Sequence, residues 1–290
     1  MLPKGKSLQI ESAITRLENR KDELRQKWFS GKPFHYLFVD EFLPREFAED
    51  LLACYPSTDQ NSWTETTYVH QSNKHHVQSG FPEPIKDYFD LTATPRFLKI
   101  ISEITGVDDL IADPKLFGGG LHQILPGGFL DVHIDYNFHP ETKLCRRLNL
   151  LVYLNKQWKR EYEGYVELWD MENKKQLENI APVFNRAVMF ETNEISYHGH
   201  PVPLKCPPNM TRKSLAVYYY SNERDDQYRS EEEHNTIYKQ TSGLQGYAKT
   251  FRSSCRSFWE RLDQESPGEF CKHLIKKFYR KIKGLPPENR

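Results

Sequence analysis

Apolar residues change their spacing near residue 116, and the change separates two kinds of local structure. Before this point they recur every three or four residues, as on one face of an amphipathic helix. A short β-rich run at residues 35–39 predicts one early strand. The helical spacing predicts four helices, over 7–29, 45–55, 84–89 and 95–105.

Between residues 121 and 221, apolar and polar residues alternate in short runs, which is typical of β-strands with one buried face. Six short strands preceded by helices favour an α+β fold. We expect its core to be a double-stranded β-helix, or jelly-roll, with helices packed on one face. The predicted strands cover 121–126, 129–136, 147–155, 164–170, 187–191 and 214–221.

Two stretches follow neither spacing. Residues 57–82 are polar and rich in histidine, and we expect a solvated loop or a lid over a pocket there. Residues 222–246 are polar and charged, and helical patterns at 247–262 and 270–282 follow them. We expect one domain over residues 1–221, made of a helical part at 1–116 and the jelly-roll core at 117–221. A helical C-terminal extension at 222–290 is expected to pack on or beside this core.

Composition narrows the classes of partner and compartment. Lys+Arg and Asp+Glu number 40 each, so overall charge gives no reason to expect binding to nucleic acid or to an anionic membrane. We find no apolar run near 18 residues and no secretory signal core, and we expect neither a membrane span nor export. The five cysteines are odd in number and widely spaced, which indicates reduced thiols in a cytoplasmic protein. The terminal helices are candidates for a homodimer contact.

The strongest candidate chemistry is the pair His133 and Asp135. Two residues apart on a strand, their side chains share one face. A non-haem iron(II) oxygenase needs one more histidine, approaching from a different strand. His198 and His200 both lie at the end of the 187–191 region, and spacing alone does not choose between them. Arg212 opens the last strand, where a guanidinium can hold the far carboxylate of a dicarboxylate.

Residues 121–221 resemble the iron(II)- and 2-oxoglutarate-dependent oxygenases of the prolyl 4-hydroxylase type. The resemblance is carried by the H-x-D pair, by the run Tyr153-Leu-Asn155, by a distal histidine and by Arg212 before the last strand. It implies that residues 1–221 form an oxygenase domain with iron held by His133, Asp135 and His198. It also implies that Arg212 binds 2-oxoglutarate.

Three further residues are candidates for binding the co-substrate. The resemblance implies that the Tyr153 hydroxyl contacts the same carboxylate as Arg212. Alternation puts Asn149 on the face of Tyr153, so its amide would look into the pocket and need a polar partner. Gln123 stands beside Ile124, the position where the family often has a tyrosine. The resemblance favours His198 as the metal ligand and leaves His200 either beside the ligands or exposed.

The resemblance implies a dioxygenase that uses Fe(II), 2-oxoglutarate and O2, with ascorbate as a further candidate cofactor. Because Asp135 supplies a carboxylate where halogenases of this superfamily have a small residue, hydroxylation is implied, with release of succinate and CO2. The expected substrate is a peptidyl residue or a small metabolite. The alternatives are a non-catalytic metal-binding jelly-roll module and a cupin that uses metal without 2-oxoglutarate.

Overall fold

The computed structural model describes residues 4–58, 63–222 and 230–239. The four predicted N-terminal helices are confirmed with small changes in their bounds. The best-defined ends belong to the fourth: the Thr94 hydroxyl caps it by accepting from the Phe97 amide, and Gly106 ends it with a φ of 74°. The helices are α1 (Lys4–Ser30), α2 (Arg45–Ala53), α3 (Glu83–Thr92) and α4 (Pro95–Thr105).

The strands form one sheet that folds into the expected jelly-roll, in the order β1-β9-β6-β11-β5-β10-β7-β8. Off this path, β3 and β12 both pair with β5, β2 pairs with β3, and β4 pairs with β11. The strands are β1 (Tyr36–Val39), β2 (Thr64–Tyr68), β3 (Gln71–Val77), β4 (Ile111–Ala112), β5 (Gly120–Ile134), β6 (Cys145–Tyr153), β7 (Val166–Asp170), β8 (Lys175–Ile180), β9 (Arg186–Glu191), β10 (Tyr197–His200), β11 (Arg212–Ser221) and β12 (Ile237–Tyr238).

The prediction of a loop over 57–82 is wrong for the hairpin of β2 and β3. Its side chains lack an apolar period because most of β2 is exposed. The hairpin is held by main-chain pairing instead: β3 runs antiparallel to β5 from Gln71, opposite Leu130, to Val77, opposite Leu121. Main-chain pairing of this kind leaves no signal in the side-chain pattern.

The strands predicted over 121–126 and 129–136 are one strand, β5. Its N-terminal part pairs with β11 and its C-terminal part with β10. Between them lie Pro126, Gly127 and Gly128, where the Gly127 amide donates to the carbonyl of Leu204. The turn-like residues therefore mark the place where β5 changes partner.

The hydrophobic core lies between the helices and one face of the sheet. Helices α1 and α4 contribute Trp28 and Ile101, which are almost fully buried. They join apolar side chains from three neighbouring strands in one cluster, namely Leu121, Leu148, Leu150, Val152, Leu215 and Val217. The alternate residues of these strands face the interior of the jelly-roll, where the polar groups lie.

The predicted helices at 247–262 and 270–282 lie outside the described residues, and the division at residue 222 stays a prediction. Within the stretch assigned to the extension, Ile237 and Tyr238 pair with Ile134 and His133 of β5. In the described part of the chain, no helix combines the length and apolar character needed to cross a bilayer.

Candidate metal and co-substrate site

Strand pairing brings His133, Asp135 and His198 together inside the jelly-roll. His133 on β5 lies directly opposite His198 on β10, so their side chains share a face. Asp135 follows the end of β5, and its carboxylate lies 3.6 Å from His133 Nε2 and 3.5 Å from His198 Nε2. One ligand atom from each residue lies within 4.8 Å of the others. His200, opposite Leu130 across a register shift, is not in this group.

Hydrogen bonds orient both imidazoles with Nε2 toward the centre of the cluster. Nδ1 of His133 donates to the carbonyl of Asp131 at 2.8 Å, and Nδ1 of His198 donates to the carbonyl of Ser196 at 2.9 Å. Because a carbonyl only accepts, the proton of each neutral ring belongs on Nδ1 and the Nε2 lone pair is available to a metal. Burial and the neighbouring His133 lower the pKa of His198 to about 4, which keeps this ring neutral.

Asp135 is held as a carboxylate by Arg146 and Asn149. Burial alone would raise its pKa, but the charge of Arg146 holds the pKa well below the usual value. Oδ2 of Asp135 lies 3.1 Å from Nη2 of Arg146 and accepts a 2.7 Å hydrogen bond from the Asn149 amide. Two histidines and one ionised carboxylate are the ligand set that suits iron(II).

Arg146 lies against the metal-binding cluster, a place that the sequence pattern did not predict. Its guanidinium lies over the rings of Tyr136 and Tyr218, at 4.4 and 3.6 Å, and donates two bonds to Asn149 Oδ1. Simple alternation puts residues 146 and 149 on opposite faces. The β6–β11 pairing skips one residue of β6, Arg147, and this irregularity turns Arg146 inward.

Arg212 and Tyr153 meet on the same interior face. Nη2 of Arg212 donates to the Tyr153 hydroxyl at 3.0 Å, and its Nε donates to the carbonyl of Gly164 at 2.7 Å. Gly164 is a residue that the pattern did not single out for function. A Cβ at this position would lie 2.3 Å from a methyl group of Leu204 and 3.1 Å from Arg212 Cδ, so only glycine fits beside the guanidinium.

Gln123, also predicted to bind the co-substrate, does not share this interior face. It pairs with Lys213 and His75, one position out of phase with Arg212, so its side chain lies on the opposite face of β5. Its Oε1 accepts from the Thr211 hydroxyl at 3.2 Å on that face.

Tyr238 is an unexpected neighbour of the cluster. Its ring stacks on His70, with centroids 4.4 Å apart, and lies 5.4 Å from the ring of His133. His70 in turn lies 3.2 Å from the carboxylate of Asp131. The polar stretch after residue 221 carries no pattern that would have predicted this contact.

Residues 119–220 match the family model described as the 2OG-Fe(II) oxygenase superfamily. This segment belongs to that superfamily. The oxygenase segment contains β5, β6, β10 and β11, and with them the histidine-carboxylate cluster and Arg212. The superfamily uses Fe(II), 2-oxoglutarate and O2, and the cluster fits the metal because it offers two Nε2 lone pairs and an ionised carboxylate. No curated protein matches the chain in sequence.

Solved structures share the fold of the oxygenase segment and its surroundings. A prolyl 4-hydroxylase from Pseudomonas putida is 18% identical, covers 68% of this chain and 98% of its own, and has a TM-score of 0.51. A prolyl hydroxylase from Trichoplax adhaerens, in complex with a hypoxia-inducible factor peptide fragment, is 16% identical, with a TM-score of 0.54. This second match covers 71% of this chain and 92% of that chain.

Proposed function

We propose that the chain is a hydroxylase that uses Fe(II), 2-oxoglutarate and O2 on an unactivated C–H bond and releases succinate and CO2. The observation that carries the proposal is the placement of His133, Asp135 and His198 on the interior face that also bears Arg212. Bound iron would supply the oxidative chemistry that couples 2-oxoglutarate and O2 to hydroxylation.

The chain's own residues would hold and orient the reactants. His133, Asp135 and His198 would be the metal ligands, fixed by the carbonyls and by Arg146 and Asn149. Arg212 would bind the distal carboxylate of 2-oxoglutarate, since Nε and Nη2 are directed by Gly164 and Tyr153. Among the described residues, no acceptor takes up its Nη1, which leaves this group to a ligand.

The substrate class we propose is a peptidyl residue or a small metabolite. The fold shared with two prolyl hydroxylases supports peptidyl proline as the first substrate to test. Free amino acids form the second class, because the same fold serves several substrates.

Succinate formation tests the reaction. Protein supplied with Fe(II), ascorbate, 2-oxoglutarate and O2 should form succinate faster when a prolyl peptide or free amino-acid library contains its substrate. Asp135→Ala should abolish this and weaken Mn(II) binding, while Asp170→Ala, at a partly exposed carboxylate far from the cluster in sequence, should change neither. Metal retention without 2-oxoglutarate binding or succinate would overturn the proposal in favour of a non-catalytic metal-binding module.

A further inference from the structure

Lys74 lies in one row with Ile124 and Arg212 across three adjacent strands. It is opposite Ile124 in the β3–β5 pairing, and Ile124 is opposite Arg212 in the β5–β11 pairing. Directly opposite residues of antiparallel strands project to the same side. Lys74 therefore shares the interior face with Arg212. Their backbones are separated by two strand spacings, roughly 10 Å. Two long side chains can reach a small ligand from both sides of a gap of this width.

The charges that act on Lys74 include groups at both ends of the interior face. Burial lowers the pKa of Lys74 to about 8, Asp135 opposes this shift, and Arg212 and Arg146 add to it. The ammonium thus interacts with the carboxylate at the metal end and with the guanidinium at the distal end. It also adds to the lowering of the pKa of His122 on the same face. At neutral pH Lys74 is a partly buried cation.

The protein supplies a carboxylate to one of these three cations and none to the other two. Arg146 is neutralised by Asp135, 3.1 Å away. Arg212 has neutral partners, a carbonyl and a hydroxyl. Within the described ranges no side chain or carbonyl accepts a hydrogen bond from Lys74. Desolvating a cation without a counter-charge is unfavourable, so the face is suited to an anion held between Lys74 and Arg212. Ile124, between them, offers only apolar surface.

We propose that Lys74 is a second cationic residue for 2-oxoglutarate, binding the distal carboxylate from the side opposite Arg212. This proposal rests on the proposed function, because it concerns the co-substrate of the same site. It gives the β2–β3 hairpin a direct part in the pocket through a residue that no strand pattern marked.

Equilibrium binding without turnover tests the role of Lys74. We would titrate 2-oxoglutarate into Mn(II)-loaded protein under anaerobic conditions by calorimetry, for wild type, Lys74→Met and Lys74→Arg. Lys74→Met should raise the Kd about tenfold or more, as expected for a charge-assisted hydrogen bond. Lys74→Arg should keep most of the affinity. Lys213→Met, on β11 with its side chain on the outer face, is the matched control and should bind normally.

A second ligand tests whether Lys74 acts on the distal carboxylate of 2-oxoglutarate. 2-Oxovalerate has the same carbon chain without the distal carboxylate, so wild type and Lys74→Met should bind it equally. Binding of 2-oxoglutarate by Lys74→Met within twofold of wild type would overturn the proposal, and so would an equal loss for both ligands. If the wild type itself binds no 2-oxoglutarate with metal present, the proposed function fails first and the Lys74 proposal fails with it. Thermal unfolding of each variant controls for folding.

Discussion

The side-chain amide of Asn149 donates a 2.7 Å hydrogen bond to Oδ2 of Asp135. The carbonyl oxygen of the same amide accepts two bonds from Arg146, which itself lies 3.1 Å from Oδ2 of Asp135. Asn149 therefore links the buried cation to the carboxylate and fixes the carboxylate's orientation. This differs from the expected role of Asn149 as a direct contact to the co-substrate.

Replacing Asn149 by leucine should weaken metal binding while keeping the volume of the side chain. Loss of a group that orients a metal ligand typically costs about 10- to 100-fold in metal affinity. Calorimetric titration of Mn(II) measures the change. The exposed amide Asn173, bonded to Asp170, is the control, and Asn173→Leu should leave Mn(II) affinity within twofold. Unchanged affinity in Asn149→Leu would show that Arg146 alone orients Asp135.

Tyr153→Phe should lower the affinity for 2-oxoglutarate. The change removes the acceptor that directs Nη2 of Arg212. A hydrogen bond to a charged group contributes about 1.5–3 kcal/mol, so we expect the Kd to rise about tenfold. Tyr219→Phe is the matched control because its hydroxyl, equally buried on β11, donates to the carbonyl of Thr92 away from the pocket. It should lower stability without changing the Kd. Equal effects of the two changes on the Kd would contradict the role of Tyr153.

Gly120→Ala should destabilise the pairing of β3 with β5. Gly120 has a φ of 88°, and a Cβ there would lie 2.1 Å from the carbonyl oxygen of Val77. Backbone strain and displacement together should lower the free energy of unfolding by about 3 kcal/mol or more. Gly80 has a φ of 73° but open space around it, so Gly80→Ala should cost only about 1 kcal/mol. Urea unfolding compares the two, and similar losses would disprove the close contact.

The burial of Lys74 predicts a pH dependence of stability in the metal-free protein. Its folded pKa, lowered to about 8 by burial, lies below that of the unfolded chain. Above this pH the unfolded state binds more protons, so stability increases as pH rises toward 10. Asp135 and Arg146, which act on it, keep their charges over this range, because the pKa of Asp135 is lowered and that of Arg146 is raised.

Comparison with Lys74→Met isolates the effect, because other titrations cancel. The free energy of unfolding of the wild type relative to Lys74→Met should rise by about 2 kcal/mol between pH 8 and pH 10. Urea unfolding at both pH values, with chelator present, measures the difference. A constant or falling difference would show that the ammonium is solvated.

The sequence predicted the four helices and the jelly-roll class, because those elements bury one face and their apolar residues therefore recur at a regular spacing. It missed the β2–β3 hairpin, whose strands are held by main-chain bonds to β5. It placed Gln123 near the co-substrate, whereas the phase of β5 turns this residue to the opposite face. The hairpin and the phase of each strand are set by pairing between distant segments, which a local pattern does not contain.

For the site, the sequence by itself determined which groups have metal-binding chemistry. It also determined that His133 and Asp135 project together, since they lie two positions apart on a strand. Tertiary structure decided between His198 and His200, because only the register of β10 against β5 puts His198 opposite His133. It also placed Arg146 on Asp135 and Lys74 in line with Arg212. Strand register and one skipped residue in β6 set these contacts, and both depend on how the strands meet in space.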